Sequence, residues 1–126
     1  MSNIRQLRAR DTAIVEPLVI RALFLRLGAR EAEASVVASM TELTDLMRRM
    51  DHDVSVMAFT RIAVQAQSAQ RLAQDLGLVT LTSVLGAVSD ACASADPIAV
   101  TAIWDRAKRI GDTSFVDLWE LPLLRM

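Results

Sequence analysis

Apolar residues in this chain recur at alternating intervals of four and three, and each run of that spacing stops at a glycine, a proline or a short polar cluster. One run places Val36, Met40, Leu43, Met47 and Met50 in line. Another does the same with Phe59, Ile62, Ala66, Ala69, Ala73 and Leu76. On a helix with 3.6 residues per turn this spacing draws a single apolar stripe, whereas a half-buried strand needs strict alternation. No stretch alternates convincingly as a strand, so the chain is expected to be all-α. Stripes of this kind are buried only against other helices, as in bundle packing.

The punctuation divides the chain into helices. A first helix is expected over roughly Thr12 to Leu27, apolar at Ile14, Val15, Leu18, Val19, Ala22, Leu23 and Leu25, with Gly28 suited to end it. A second runs near Arg30 to Met50, and Asp51 to Asp53 reads as the turn after it. The third, about Ser55 to Leu76, is closed by Gly77, and its small residues permit close helix approach. The fourth, about Thr80 to Ser94, aligns Leu81, Val84, Val88, Ala91 and Ala95 ahead of Asp96-Pro97, a cap followed by a proline whose missing N–H costs nothing there. The fifth uses Val100, Ile103, Ala107 and Ile110 and is expected to stop at Gly111, after which Thr113 or Ser114 would cap a short amphipathic turn carrying Phe115, Leu118 and Trp119. Short connections favour antiparallel neighbours. The expected architecture is an antiparallel up-and-down four-helix bundle with an additional N-terminal helix and a short C-terminal helical turn.

The length of 126 residues fits one domain over 1–126, with no internal repeat or linker-like tract to divide it. A net charge of -1 argues against a globally basic nucleic-acid binder, and no aromatic platform accompanies the local arginines. The single cysteine, Cys92, has no internal disulfide partner, which fits a reducing cytoplasm and an inert core thiol. The apolar run from Pro17 to Leu27 is too short to span a bilayer and is interrupted by Arg21 and Arg26, so no membrane anchor is expected. The basic start, Met1 to Asp11 with Arg5, Arg8 and Arg10, leads into no uninterrupted hydrophobic segment of a secretion signal.

The segment Gln65 to Leu78 reads Gln-Ala-Gln-Ser-Ala-Gln-Arg-Leu-Ala-Gln-Asp-Leu-Gly-Leu. With the helices around it, roughly Ala29 to Ile110, it resembles the histidine-phosphotransfer (HPt) domains of bacterial two-component relays. The family pattern has a phosphoaccepting histidine mid-helix, a lysine three residues later, a glycine directly after it, and a Leu-Gly pair at the helix end. Aligned on Leu76-Gly77, the histidine position falls at Gln67, the lysine at Gln70 and the glycine at Arg71. The Leu-Gly ending is kept and the three chemical positions are not. The resemblance implies a degenerate relative that docks a response-regulator receiver domain or a histidine kinase without accepting phosphate.

Phosphotransfer needs a neutral imidazole nitrogen with a localised lone pair and a neighbouring cation to offset the arriving charge. The amide nitrogen of Gln67 delocalises its lone pair into its carbonyl, and Gln70 brings no charge, so transfer at this position is expected to be abolished. Gln67, Gln70, Arg71 and Gln74 fall opposite Ala66, Ala69 and Ala73 and are expected to face water, with Arg71 able to meet an acidic partner surface. Read without the resemblance, the same four residues are an ordinary solvated helix face.

Other candidates are weaker. His52, the only histidine, lies between Asp51 and Asp53 in the expected turn, with no lysine one turn on and no Cys or His to complete a metal shell. Arg48-Arg49 and the Arg106, Lys108, Arg109 group are each balanced by Asp45, Asp51, Asp105 or Asp112. Met40, Met47 and Met50 sit on the apolar seam and read as core filler. No glycine-rich phosphate loop, cofactor motif or metal motif is present, and the chain is not expected to be an enzyme. The apolar C-terminal residues Phe115, Leu118, Trp119, Leu121, Leu123 and Leu124 must pack on their own bundle or on a second copy, so the alternative reading is a helical interaction or oligomerisation module, including a homodimer.

Overall fold

The computed structural model describes residues 13–125. The expected helix start at Thr12 and the basic segment Met1 to Asp11 lie outside the described residues. Within them the chain is all-helical: α1 (Pro17–Leu27), α2 (Ala29–Ser55), α3 (Phe59–Asp75), α4 (Val79–Ala93), α5 (Pro97–Trp119) and α6 (Pro122–Arg125). Helix α2 touches α1, α3 and α5; α3 packs on α4, α4 on α5, and α5 on α6. The α3–α4 pair makes the most extensive contact, and the fully buried Ala66, Ala69 and Ala73 let α3 approach its neighbours closely. Val36, Leu43, Ile62, Leu85, Trp104 and Ile110 are the anchors of the core, each large side chain contributing about 1.5–3 kcal/mol on leaving water.

The apolar seams of α2 to α5 predict the core well, whereas in α1 the buried residue is Ile20 and Leu18, Ala22 and Leu25 of the expected apolar set are exposed. Met40 and Met50 are buried and the partly buried Met47 packs against the core, as filler. The Asp96 cap accepts from the backbone N–H groups of Ile98 and Ala99 through Oδ1, with Pro97 opening α5. Gly28 ends α1 at φ 83 and starts α2, its N–H donating to the Phe24 carbonyl. At ψ 161 this conformation is one that only glycine adopts readily.

Several boundaries are corrected. Ile14 and Val15 are not helical: Val15 forms an isolated antiparallel bridge with Leu78, and α1 starts at Pro17 because the Glu16 side chain caps it through the Leu18 N–H. Asp51 to Asp53 is not a turn. The seam continues through Met50 to the buried Val54, both carboxylates find partners, and α2 runs to Ser55. The chain then reverses at Met57, φ 51, and α3 begins at Phe59 rather than Ser55. Ala95, expected on the seam, is exposed at φ 51 between α4 and α5. Gly111 does not stop the fifth helix, since Ala107, Ile110, Ser114 and Leu118 extend its buried face to Trp119. Gly111 is itself buried beside Met47, whose Cε would lie 3.1 Å from an added Cβ. Thr113 and Ser114 are therefore interior residues and not caps; the Thr113 hydroxyl donates to the Arg109 carbonyl. Leu121, Leu123 and Leu124 pack against the chain's own core.

Candidate functional site: the α3–α4 polar face

Helix α3 carries Gln67, Gln70, Arg71 and Gln74 at steps of three, one and three, which gathers them on one side of the helix. That side is outward because the opposite stripe, Ile62, Ala66, Ala69 and Ala73, is fully buried. Gln67, Arg71 and Gln74 are exposed as expected. Gln70 is half-buried, a correction to the fully water-facing reading, because its side chain lies across Gly86 of α4. A Cβ on Gly86 would come within 2.8 Å of Gln70 Nε2. The glycine provides a slot for the amide, a feature that sequence reading missed and that no spacing within one helix could reveal.

Beside Gln67 the two helices leave a groove of about 360 Å³, walled by Phe59, Ala63 and Val64 of α3 and by Ser89 and Cys92 of α4. Val64 is 61% exposed, an apolar side chain at the groove's edge. Cys92 is buried and burial pushes its thiol up, which keeps it in the unreactive protonated form. Arg71 makes no ion pair among the described residues, so its guanidinium is available to a partner carboxylate or phosphate. The face therefore combines amides that both donate and accept with one free cation and a shallow apolar slot.

No family model, curated protein or solved structure matches this chain.

His52 is exposed on the last turns of α2 and does not line this groove. The carboxylates that flank it are engaged elsewhere. Asp53 is buried and accepts from Arg61 Nε at 3.2 Å, tying the end of α2 to the first turn of α3. Asp51 accepts from the indole N–H of the buried Trp104 at 2.8 Å and pairs with Lys108 at 3.1 Å. The Trp104 hydrogen bond, then Lys108, hold the Asp51 carboxyl below the ordinary aspartate range, and Asp51 in turn raises Lys108. This cluster ties α2 to α5 and is structural in its geometry. Arg48 and Arg49 both meet Asp45, at 3.4 and 3.1 Å, and Lys108 also lies 3.6 Å from Asp105, so these basic groups are balanced locally. Among the described residues no group of three or more His, Cys, Asp or Glu is placed to hold a metal ion, and no helix is long and apolar enough to cross a membrane.

Proposed function

We propose that this chain is a degenerate HPt-like signalling protein that docks a response-regulator receiver domain, or a histidine kinase, through the α3–α4 face without carrying phosphate. In this reading α2 to α5 constitute an antiparallel up-and-down four-helix bundle, α1 is the additional N-terminal helix, and α6 is the short C-terminal turn. The observation that carries it is the exposure of Gln67 on α3, beside the groove and next to the unpaired Arg71. An amide at that place presents no nucleophilic lone pair, while the half-buried Gln70 brings no compensating cation. Recognition survives this exchange because amides hydrogen-bond in both directions and Arg71 offers a planar, charged fork. The lone thiol of Cys92 fits work in a bacterial cytoplasm.

Titration of purified receiver domains against the wild type and Arg71→Glu, with a phosphoryl donor present, tests the reading. Saturable binding by the wild type is expected, weakened by about tenfold or more in Arg71→Glu through loss of a charge-assisted contact, with no acid-labile label on the protein. Label that disappears in His52→Ala, or no receiver binding at all, would overturn it. A second reading, an interaction module used through the end of α5, is favoured by Val116 and Trp119, which are 61% and 38% exposed. A partner footprint confined to those residues would select it.

A further inference from the structure

A second cleft, distinct from the α3–α4 groove, lies where α1 crosses α2 and the end of α3. Its volume of about 500 Å³ falls within the range of small-molecule sites. Aliphatic walls come from Val19, Leu23, Val36 and Leu76, and the polar groups are Arg26, Ser35, Ser39 and Asp75. The polar groups share a property: none has a side-chain partner within the described residues. Arg26 and Asp75 line the same cleft without pairing with each other or with anything else. Ser35 and Ser39 stand one helical turn apart, half-buried, on the same side of α2.

The hydroxyls of Ser35 and Ser39 are not engaged by the helix that carries them. Thr41, Thr82, Thr101 and Thr113 each donate their hydroxyl to the carbonyl four residues back, the ordinary local solution for a hydroxyl on a helix. Ser35 and Ser39 do not, which leaves two donor-acceptor hydroxyls over the same cleft. A cation, an anion and two hydroxyls lining one cleft with aliphatic walls match a ligand with the complementary set: a carboxylate for Arg26, an ammonium for Asp75, hydrogen-bonding edges for the serines, and an apolar body for the walls. A singly charged ligand would satisfy one ionic group and leave the other without a counter-charge.

We infer that the cleft between α1, α2 and the end of α3 binds a small zwitterion with an aliphatic body, of which a free aliphatic α-amino acid is the simplest form. This site is independent of the α3–α4 face and does not rest on the docking reading.

The test uses the full chain and L-leucine as probe, with binding followed by calorimetry and by amide chemical shifts. Saturable binding is expected, with shifts centred on Ala22, Ser35 and Ser39. N-acetyl-L-leucine, which lacks the ammonium, and L-leucinamide, which lacks the carboxylate, should each bind about tenfold or more weakly, as should L-leucine to Arg26→Gln and to Asp75→Asn. Both substitutions are at exposed positions, and circular dichroism verifies that the variants fold. No binding by the wild type up to about 10 mM, binding within twofold of wild type by both variants, or shifts centred outside the cleft would overturn the inference.

Discussion

Replacing Gly77 by alanine should be among the most damaging single-methyl changes in the molecule. Gly77 is buried at φ 75 where α3 gives way to α4, and its carbonyl accepts the Glu16 N–H at 2.7 Å. Two costs add. A side chain at this left-handed φ costs about 1–2 kcal/mol in backbone strain. The new Cβ would also stand 2.5 Å from the Glu16 carbonyl oxygen and 3.2 Å from Val19 Cβ, and the nearer obstacle is backbone that cannot rotate away. Residues 14 to 16 would have to lift, loosening the Glu16 to Gly77 bond and the 3.0 Å bond from the Val79 N–H to the Ile14 carbonyl, each worth about 0.5–1.5 kcal/mol. The sum is about 3 kcal/mol, a fall in Tm on the order of 10 °C for a domain of this size. Urea unfolding followed by far-ultraviolet circular dichroism measures it, with an unchanged m-value as the check that only stability moved. Gly77→Asn separates the two costs, because asparagine tolerates the left-handed region but carries the same Cβ; it should recover only about 1 kcal/mol. If asparagine restores nearly all the lost stability, or alanine costs under about 1 kcal/mol, the steric part of this reasoning is wrong.

Ser114→Ala should be neutral or stabilising by up to about 1 kcal/mol in the same assay, because the Ser114 hydroxyl is fully buried without a partner among the described residues and removing it relieves a desolvation cost. Asp51→Asn should destabilise by no more than about 1 kcal/mol near neutral pH, since Asp51 and Lys108 are both substantially exposed. With the folded pKa of Asp51 depressed, its contribution is present above the ordinary aspartate value of about 3.9 and is lost as pH falls through the lower folded value. Lys108 has the opposite sign: its raised pKa contributes below the ordinary lysine value of about 10.4 and is lost as pH rises through the folded one. A wild-type advantage over Asp51→Asn that persists unchanged well below pH 3 would contradict this.

What could be read from the sequence was whatever repeats along one helix. The stripes of α2 and α3, the Asp96-Pro97 start of α5 and the stop at Gly28 all follow from local spacing and local backbone chemistry. The errors at Asp51 to Asp53, at Gly111 and at Ile14 and Val15 originate in contacts between distant segments. Asp51, His52 and Asp53 look like a turn because three polar residues interrupt an apolar pattern, yet Trp104, 53 positions away from Asp51, supplies the hydrogen bond that keeps the helix going. Gly111 looks like a stop because glycine costs a helix about 1 kcal/mol, but its lack of a side chain makes room for Met47 of α2. Ile14 and Val15 look helical by their apolarity, and are instead claimed by the α3–α4 connection.

The same division runs through the candidate face. The exposure of Gln67, Arg71 and Gln74 follows from their angle to Ala66, Ala69 and Ala73, whereas the half-burial of Gln70 depends on Gly86, 16 positions further on, and is invisible without the α3–α4 pairing. This difference bears on what the proposed docking would read. With Gln70 laid down over Gly86 and Gln67 exposed beside the groove, the four residues are not equivalent: one amide is held by the fold and two are left to adapt. Arg71 is the one charge among them, so long-range attraction to a partner would be modest and strongly screened by salt. Selection between partners would then fall to the shape of the slot bounded by Phe59, Ala63 and Val64 and to the hydrogen-bond pattern of the amides. A phosphotransfer surface has to bring a nucleophile and a cation to one phosphorus atom, and side-chain placement there is fixed by the reaction. A surface that only docks, as proposed here, is free of that demand, and amides at Gln67 and Gln70 are compatible with it.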